Sequence, residues 1–226
     1  MPRKPTDSEI ADAKRFVERR VKAQKEAVED LSRSFDEAAE RIAAIVLKYK
    51  ARNMTLRFTG SGMMASEVEE VINWLEHEIE TYLLMKCVPP EEENDSVVSK
   101  IQKKVTGEYM GATFDERERH YISKYLLALK VAGLSGIDMD EEAIIDSIGD
   151  ATEQPRHRFE ILVENTVALG WMAWELENAI GEGAAGFYVI NGNNPCSFCA
   201  EMEGWHPITD DPPLYHPNCQ CIVVYI

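Results

Sequence analysis

Four of the five cysteines of this 226-residue chain fall in one C-terminal stretch, as Cys196-x-x-Cys199 and, after a loop, His216-Pro-Asn-Cys219-Gln-Cys221. Two close pairs of soft ligands joined by a loop are what a tetrahedral zinc site requires. The gap in C-x-x-C lets both sulfurs turn toward one ion, and Cys219 and Cys221 share a face if their segment is extended. Five candidates, Cys196, Cys199, His216, Cys219 and Cys221, stand for four places, so which four bind is left open. Paired disulfides are the alternative chemistry. Zinc is expected ahead of them because Met1-Pro2-Arg3-Lys4-Pro5 leads into a charged segment and not into an apolar export signal.

A zinc that does catalysis needs an open coordination position and a general base. Glu201, Glu203, Asp210 and Asp211 are near in sequence, but no motif fixes their geometry. Pro195-Cys196-Ser197-Phe198-Cys199 matches half of the zinc deaminase signature, whose other half is an H-x-E that supplies a ligand and a proton carrier. The chain has no H-x-E; His77-Glu78-Ile79-Glu80 is the nearest approach. A thioredoxin-like use of C-x-x-C needs a preceding strand, and here a helical pattern and a Gly-rich turn precede it. With no phosphate-cradling glycine loop and no H-E-x-x-H either, the expectation is a structural ion and no catalysis.

The order of features in this region is specific. A helix runs through a Gly-rich turn to Phe187 and Tyr188, then come Cys196 and Cys199, Gly204, a loop with Pro213, and His216-Pro217-x-Cys219-x-Cys221 followed by β-branched residues. From about Asp138 to Ile226 this resembles the phage Mu F-like head morphogenesis family of minor capsid proteins. Gln220 stands where that family usually has arginine, and Val163-Glu164-Asn165 stands in place of its R-T-E-like triplet. The resemblance implies a structural role in head assembly near the portal, with portal or capsid proteins as partners and the virion or the bacterial host cytoplasm as location. A zinc-dependent enzyme or toxin-associated module, and a host cytoplasmic zinc-bearing scaffold, are the competing classes.

The elements that would position these residues are mostly helical. Residues 6–52 read as one long helix whose apolar residues, Val21, Val28, Phe35, Ile42 and Tyr49 with Val17, Leu31, Ala38 and Ile45, follow a seven-residue repeat interrupted by Gln24. Such a seam suits either a second molecule, including another copy of this chain, or the later helices of the same chain. Gly60-Ser61-Gly62 breaks the pattern, and Ser66-Glu67-Val68-Glu69 reads as a capping box opening a second helix toward Cys87, itself expected to be a buried apolar residue. A third helix over 96–107, an amphipathic stretch over 115–132, a short helix over 138–148 and a last helix starting at Pro155 and running to Ile180 follow. Phe187–Ile190 and Ile222–Ile226 are β-branched and aromatic, and are expected to pair as a small ribbon that a metal would brace. The expected architecture is mainly α: a multi-helix bundle with a long N-terminal helix and a small C-terminal β-hairpin, zinc-ribbon-like element. Its segments are 1–52, 53–136 and 137–226.

Charge narrows the partners. The net charge is −16, yet residues 1–50 hold 12 Lys/Arg against 10 Asp/Glu, and no Lys or Arg follows Arg158. Nucleic-acid binding is therefore disfavoured for the C-terminal half, whose stretch after Arg158 has no cation to replace phosphate counter-ions. No apolar run reaches the roughly 20 residues that span a bilayer, so no membrane role is expected.

Overall fold

The computed structural model describes residues 3–51, 62–107, 116, 127–128, 139–192, 195, 197–210 and 221–226. The described chain is mainly helical. In order it forms α1 (Asp7–Ala51), α2 (Gly62–Lys86), α3 (Asp95–Thr106), α4 (Glu141–Gly181), β1 (Gly186–Ile190), the single-turn α5 (Ser197–Glu201), β2 (Gly204–Pro207) and β3 (Ile222–Tyr225). Most of the amphipathic stretch expected over 115–132 lies outside the described residues. Among the described residues no helix is long and apolar enough to cross a membrane.

The chain condenses into two compact units, one made of Met1–Ala27, Leu84–Tyr109 and Val163–Ile226, the other of Val28–Leu83 and Met110–Leu162. Both α1 and α4 contribute to each. In the second unit the later half of α1 buries Leu31, Phe35, Ala38, Ile42 and Tyr49, the same positions that form the sequence seam, at 2% exposure or less. They meet α2, which buries Val68, Val71, Ile72, Leu75, Ile79 and Leu83, and the first half of α4 with Ile144, Ile148 and Phe159. The Phe35 and Phe159 rings meet edge to face at 5.1 Å. Polar pins at the borders fix the pairing: Glu67 accepts from the Tyr49 hydroxyl at 2.8 Å and pairs with Lys48 at 2.7 Å, and Tyr82 donates to Asp30.

In the first unit Phe16 of α1 packs against Trp171 and Trp174 of α4, with ring centroids 5.7 and 6.0 Å away. Gln24, the polar interruption of the seam, is buried, and its Nε2 donates to the Glu164 main-chain carbonyl at 2.9 Å. That bond satisfies a group that would otherwise cost a few kcal/mol to bury. The approach of α4 to the end of α2 is close enough to demand glycine: a Cβ on Gly170 would stand 1.9 Å from the Cys87 carbonyl oxygen. Cys87 is buried there as expected of an apolar residue; its thiol donates to the Leu84 carbonyl, and burial pushes it up to about 12.

Two expectations about helix ends are corrected. α2 begins at Gly62, four residues before Ser66, so the Ser66–Glu69 pattern lies inside the helix and is not its cap. α4 is one helix with Pro155 in its interior, not a short helix followed by one that starts at Pro155. Proline removes one helical donor and normally kinks or ends a helix. Here Ile148 and Thr152 on one side and Phe159 and Leu162 on the other are all buried, and that packing carries the helix through. The third helix and the helix stop agree with expectation. Asn94 caps α3 by accepting from the Ser96 amide at 3.0 Å, and α4 ends in a Schellman arrangement with Gly183 at φ +83° and Ala184 N–H bonded to the Ala179 carbonyl.

Because the least exposed seam positions are filled within the chain, a chain lacking residues 7–51 is expected to lose cooperative unfolding and expose apolar surface to a dye such as ANS. A sharp urea transition retained after the deletion would show that α1 is dispensable to both cores.

Candidate metal centre

The residues around the C-terminal cysteines are organised by a three-stranded antiparallel sheet of order β2-β1-β3. The pairing expected between the first and last of these strands is present, with Tyr188 opposite Val224 and Ile190 opposite Ile222. The sequence reading missed β2, which pairs with the other edge of β1 and puts Tyr188 opposite Trp205 and Phe187 opposite His206. So short a strand, bounded by Gly204 and Pro207, has too little β-branched or alternating character to announce itself. Gly186 permits the pairing, since a Cβ there would lie 2.3 Å from the His206 carbonyl and 2.9 Å from the Trp205 ring.

Alternation along β3 sends its side chains to two different apolar surfaces. Ile222 and Val224 pack with Ala13 of α1, joined by Ile10, Val17, Ile190 and Ile226. Cys221 and Val223 face the other way and form a cluster with Phe187 and Val189 of β1, Met172 of α4 and Cys199 of α5. Cys199 and Cys221 are exposed by only 1% and 2%. A short helical turn supplies the first sulfur and the residue before an edge strand supplies the second, so two halves of the cysteine-rich segment meet in one buried place.

Cys196, His216 and Cys219, the other three expected ligands, lie outside the described residues. Among the described residues no group of three or more Cys, His, Asp or Glu side chains converges as a metal shell. The two described sulfurs share one apolar surrounding. The walls are apolar and exclude water, and the outer polar contact is an amide: the Cys221 thiol is 3.4 Å from Asn191 Oδ1, and Asn191 Nδ2 donates to Glu203 at 3.2 Å. The thiol is the donor in that contact, so the bond belongs to protonated Cys221 and would be given up on ionisation. A metal bound here would crosslink the segment carrying Cys199 and the strand entered from Cys221.

Of the acidic residues near the cysteines, Asp211 lies outside the described residues and the other three are placed. Glu203 is engaged by Asn191, Glu201 ends the single-turn helix, and Asp210 lies 3.6 Å from His206 Nδ1. His206, like Asn191, was not singled out from sequence. Its ring stacks on Phe187 with centroids 5.3 Å apart, and its Nε2 donates to the Met202 carbonyl at 2.9 Å. That donor role keeps Nε2 protonated and unavailable to a metal. No local pattern marks either residue, because their partners are set by strand register.

No family model, curated protein or solved structure matches this chain.

Placing a methyl group on Gly186 should separate β1 from β2. Gly186→Ala is expected to cost about 1–3 kcal/mol in urea unfolding, the range typical of overpacking. The Trp205 and His206 amides should also lose hydrogen-exchange protection while the helical circular dichroism holds. Unchanged protection would mean that β2 is not held by this register.

Proposed function

We propose that this chain is a minor head protein of a phage or prophage, acting in head assembly near the portal, with a structural zinc closing its C-terminal element. The reading rests on the order of C-x-x-C, Gly204, Pro213 and H-P-x-C-x-C. The observation that carries it furthest is the meeting of Cys199 and Cys221 in one buried apolar cluster under a sheet. Two thiols from separate segments, brought together away from water, are what a closed metal site uses as anchors once ionised. Cys196, Cys199 and Cys219 would be three ligands, with Cys221 or His216 as the fourth. The ion would act as a fastener: a closed four-ligand shell leaves no position for substrate and contributes folding free energy instead.

The head-assembly role draws support from charge as well. Residues 159–226 carry no Lys or Arg, so packaged DNA would repel that stretch and protein would be its docking partner. Arg15, Arg19, Lys22 and Lys25 on α1 would be the place where DNA could touch the chain.

Metal analysis of protein expressed with added zinc, under reducing conditions, should find about one zinc per chain, as a closed site demands. Replacing Cys196 and Cys199 together by serine should abolish it and destabilise the sheet while α2 and the first half of α4 keep their protection. Less than about a tenth of an equivalent in folded protein would exclude the closed zinc site.

The assembly role is tested separately by mass spectrometry of purified proheads and virions from a host carrying the gene. Stoichiometric peptides in either particle are expected. Absence from both, or a turnover that disappears on replacing Glu201 or Glu203, would replace this reading with an enzymatic or host-scaffold one.

A further inference from the structure

The two outer strands of the sheet present different edges. β2 ends in Pro207, which has no N–H to offer and blunts that edge against further pairing. β3 reads Ile222-Val223-Val224-Tyr225, with no proline, glycine or charge to protect it. Its register fixes where its main-chain groups point. Gly186 and Ile226 exchange both of their bonds, at 3.1 and 2.9 Å. By the alternation of an antiparallel ladder, Tyr188 with Val224 and Ile190 with Ile222 are the next bonded pairs. Val223 and Tyr225 therefore direct their N–H and C=O groups away from β1, and among the described residues nothing bonds them.

Val223 and Tyr225 line a cleft of about 380 Å³ in the first unit, between the start of α1 and the second half of α4. α1 covers the sheet face of Ile222 and Val224, and Met172 of α4 covers the face of Val223. The cleft thus continues the sheet past β3 with a helix toward either face. Ala13 and Ala179 line it with the stacked rings of Phe16 and Trp174, so its walls are largely apolar. Val223 is only 5% exposed, and main-chain polar groups withdrawn from water without a partner are rare in folded chains. An extended peptide completes them: it brings donors and acceptors at strand spacing and sends alternate side chains toward the two helices.

Charge selects the peptide. Glu9 and Asp12 in the lining are paired with Arg3 and Arg15, and Glu175 meets the charge of buried Arg20. Exposed Glu182 has no cation partner among the described residues, and residues 159–226 contain no Lys or Arg. The β3 edge of a second copy would bring two such anionic surfaces together, whereas a basic strand is attracted.

We propose that the open edge of β3 takes an extended basic segment of a partner protein as a fourth strand, in the cleft between α1 and α4. This is independent of the zinc site and of the head-assembly reading.

The test uses the full chain and three probes: the peptide acetyl-Lys-Val-Arg-Val-Lys-amide, its fully N-methylated copy, and acetyl-Glu-Val-Glu-Val-Glu-amide. Isothermal titration reads affinity, and amide hydrogen exchange by NMR reads location. The basic peptide is expected to saturate by about 1 mM. The Val223 and Tyr225 amides should then exchange more slowly, on the order of tenfold, as newly bonded donors do. The N-methylated copy, which has no N–H to pair, and the acidic peptide should each bind more weakly, on the order of tenfold or more. No saturation by about 1 mM, either control binding as well as the basic peptide, or binding that leaves both amides unprotected overturns the proposal. So does a concentration-dependent dimer of the peptide-free chain that protects the same two amides, since the edge would then belong to a second copy. Every readout is taken on the unaltered chain, so none depends on a variant that folds.

Discussion

A sheet of three strands, two of them only four residues long, buries too little by itself to persist in water, and the C-terminal region depends on how its two faces are covered. One face is closed by the first turns of α1, through Ala13 with Ile10 and Val17 alongside. The other is closed by Met172 of α4 and by two cysteines. This explains why Ile222-Val223-Val224 is apolar without alternation: Ile222 and Val224 meet one apolar covering surface and Val223 the other. It also explains why the cysteines matter structurally. They occupy positions where another sheet would place valine or leucine, so the sulfurs fill core volume.

Apolar surroundings make a bare thiolate costly, and a dication shared among thiolates is the standard way to offset that cost. Cys87 illustrates the contrast. It is equally buried but faces a helix carbonyl, its thiol is held protonated, and it stands against Gly170 as a packing residue. Cys221 instead meets Asn191, whose amide is held by Glu203, and shares its cluster with Cys199. Cys87 thus packs against α4, whereas Cys199 and Cys221 share one cluster beneath the sheet.

The two longest helices each serve both units, and their polar interruptions are settled by specific bonds. Gln24 is answered by the Glu164 carbonyl, and Arg156 by Asp36 at 3.1 Å. Glu175 meets the charge of buried Arg20, though burial still pushes its carboxyl up to about 8.

Much of the local structure was written in residue type and spacing. The heptad pattern of α1, the Asn94 start of α3, the glycines that stop α4 and the β-branched ends of β1 and β3 all act over a few residues, and each formed as its chemistry requires. The C-x-x-C and H-x-x-C-x-C spacings named candidate ligands for the same reason. Tertiary structure decided the rest. Whether the α1 seam meets its own chain, whether Pro155 ends a helix, and whether Gly204–Pro207 becomes a strand depend on surfaces brought from distant parts of the sequence. So do the partners of Asn191, His206 and Glu175, since a side chain's hydration and neighbours are properties of the packed interior and have no counterpart in the order of residues along the chain.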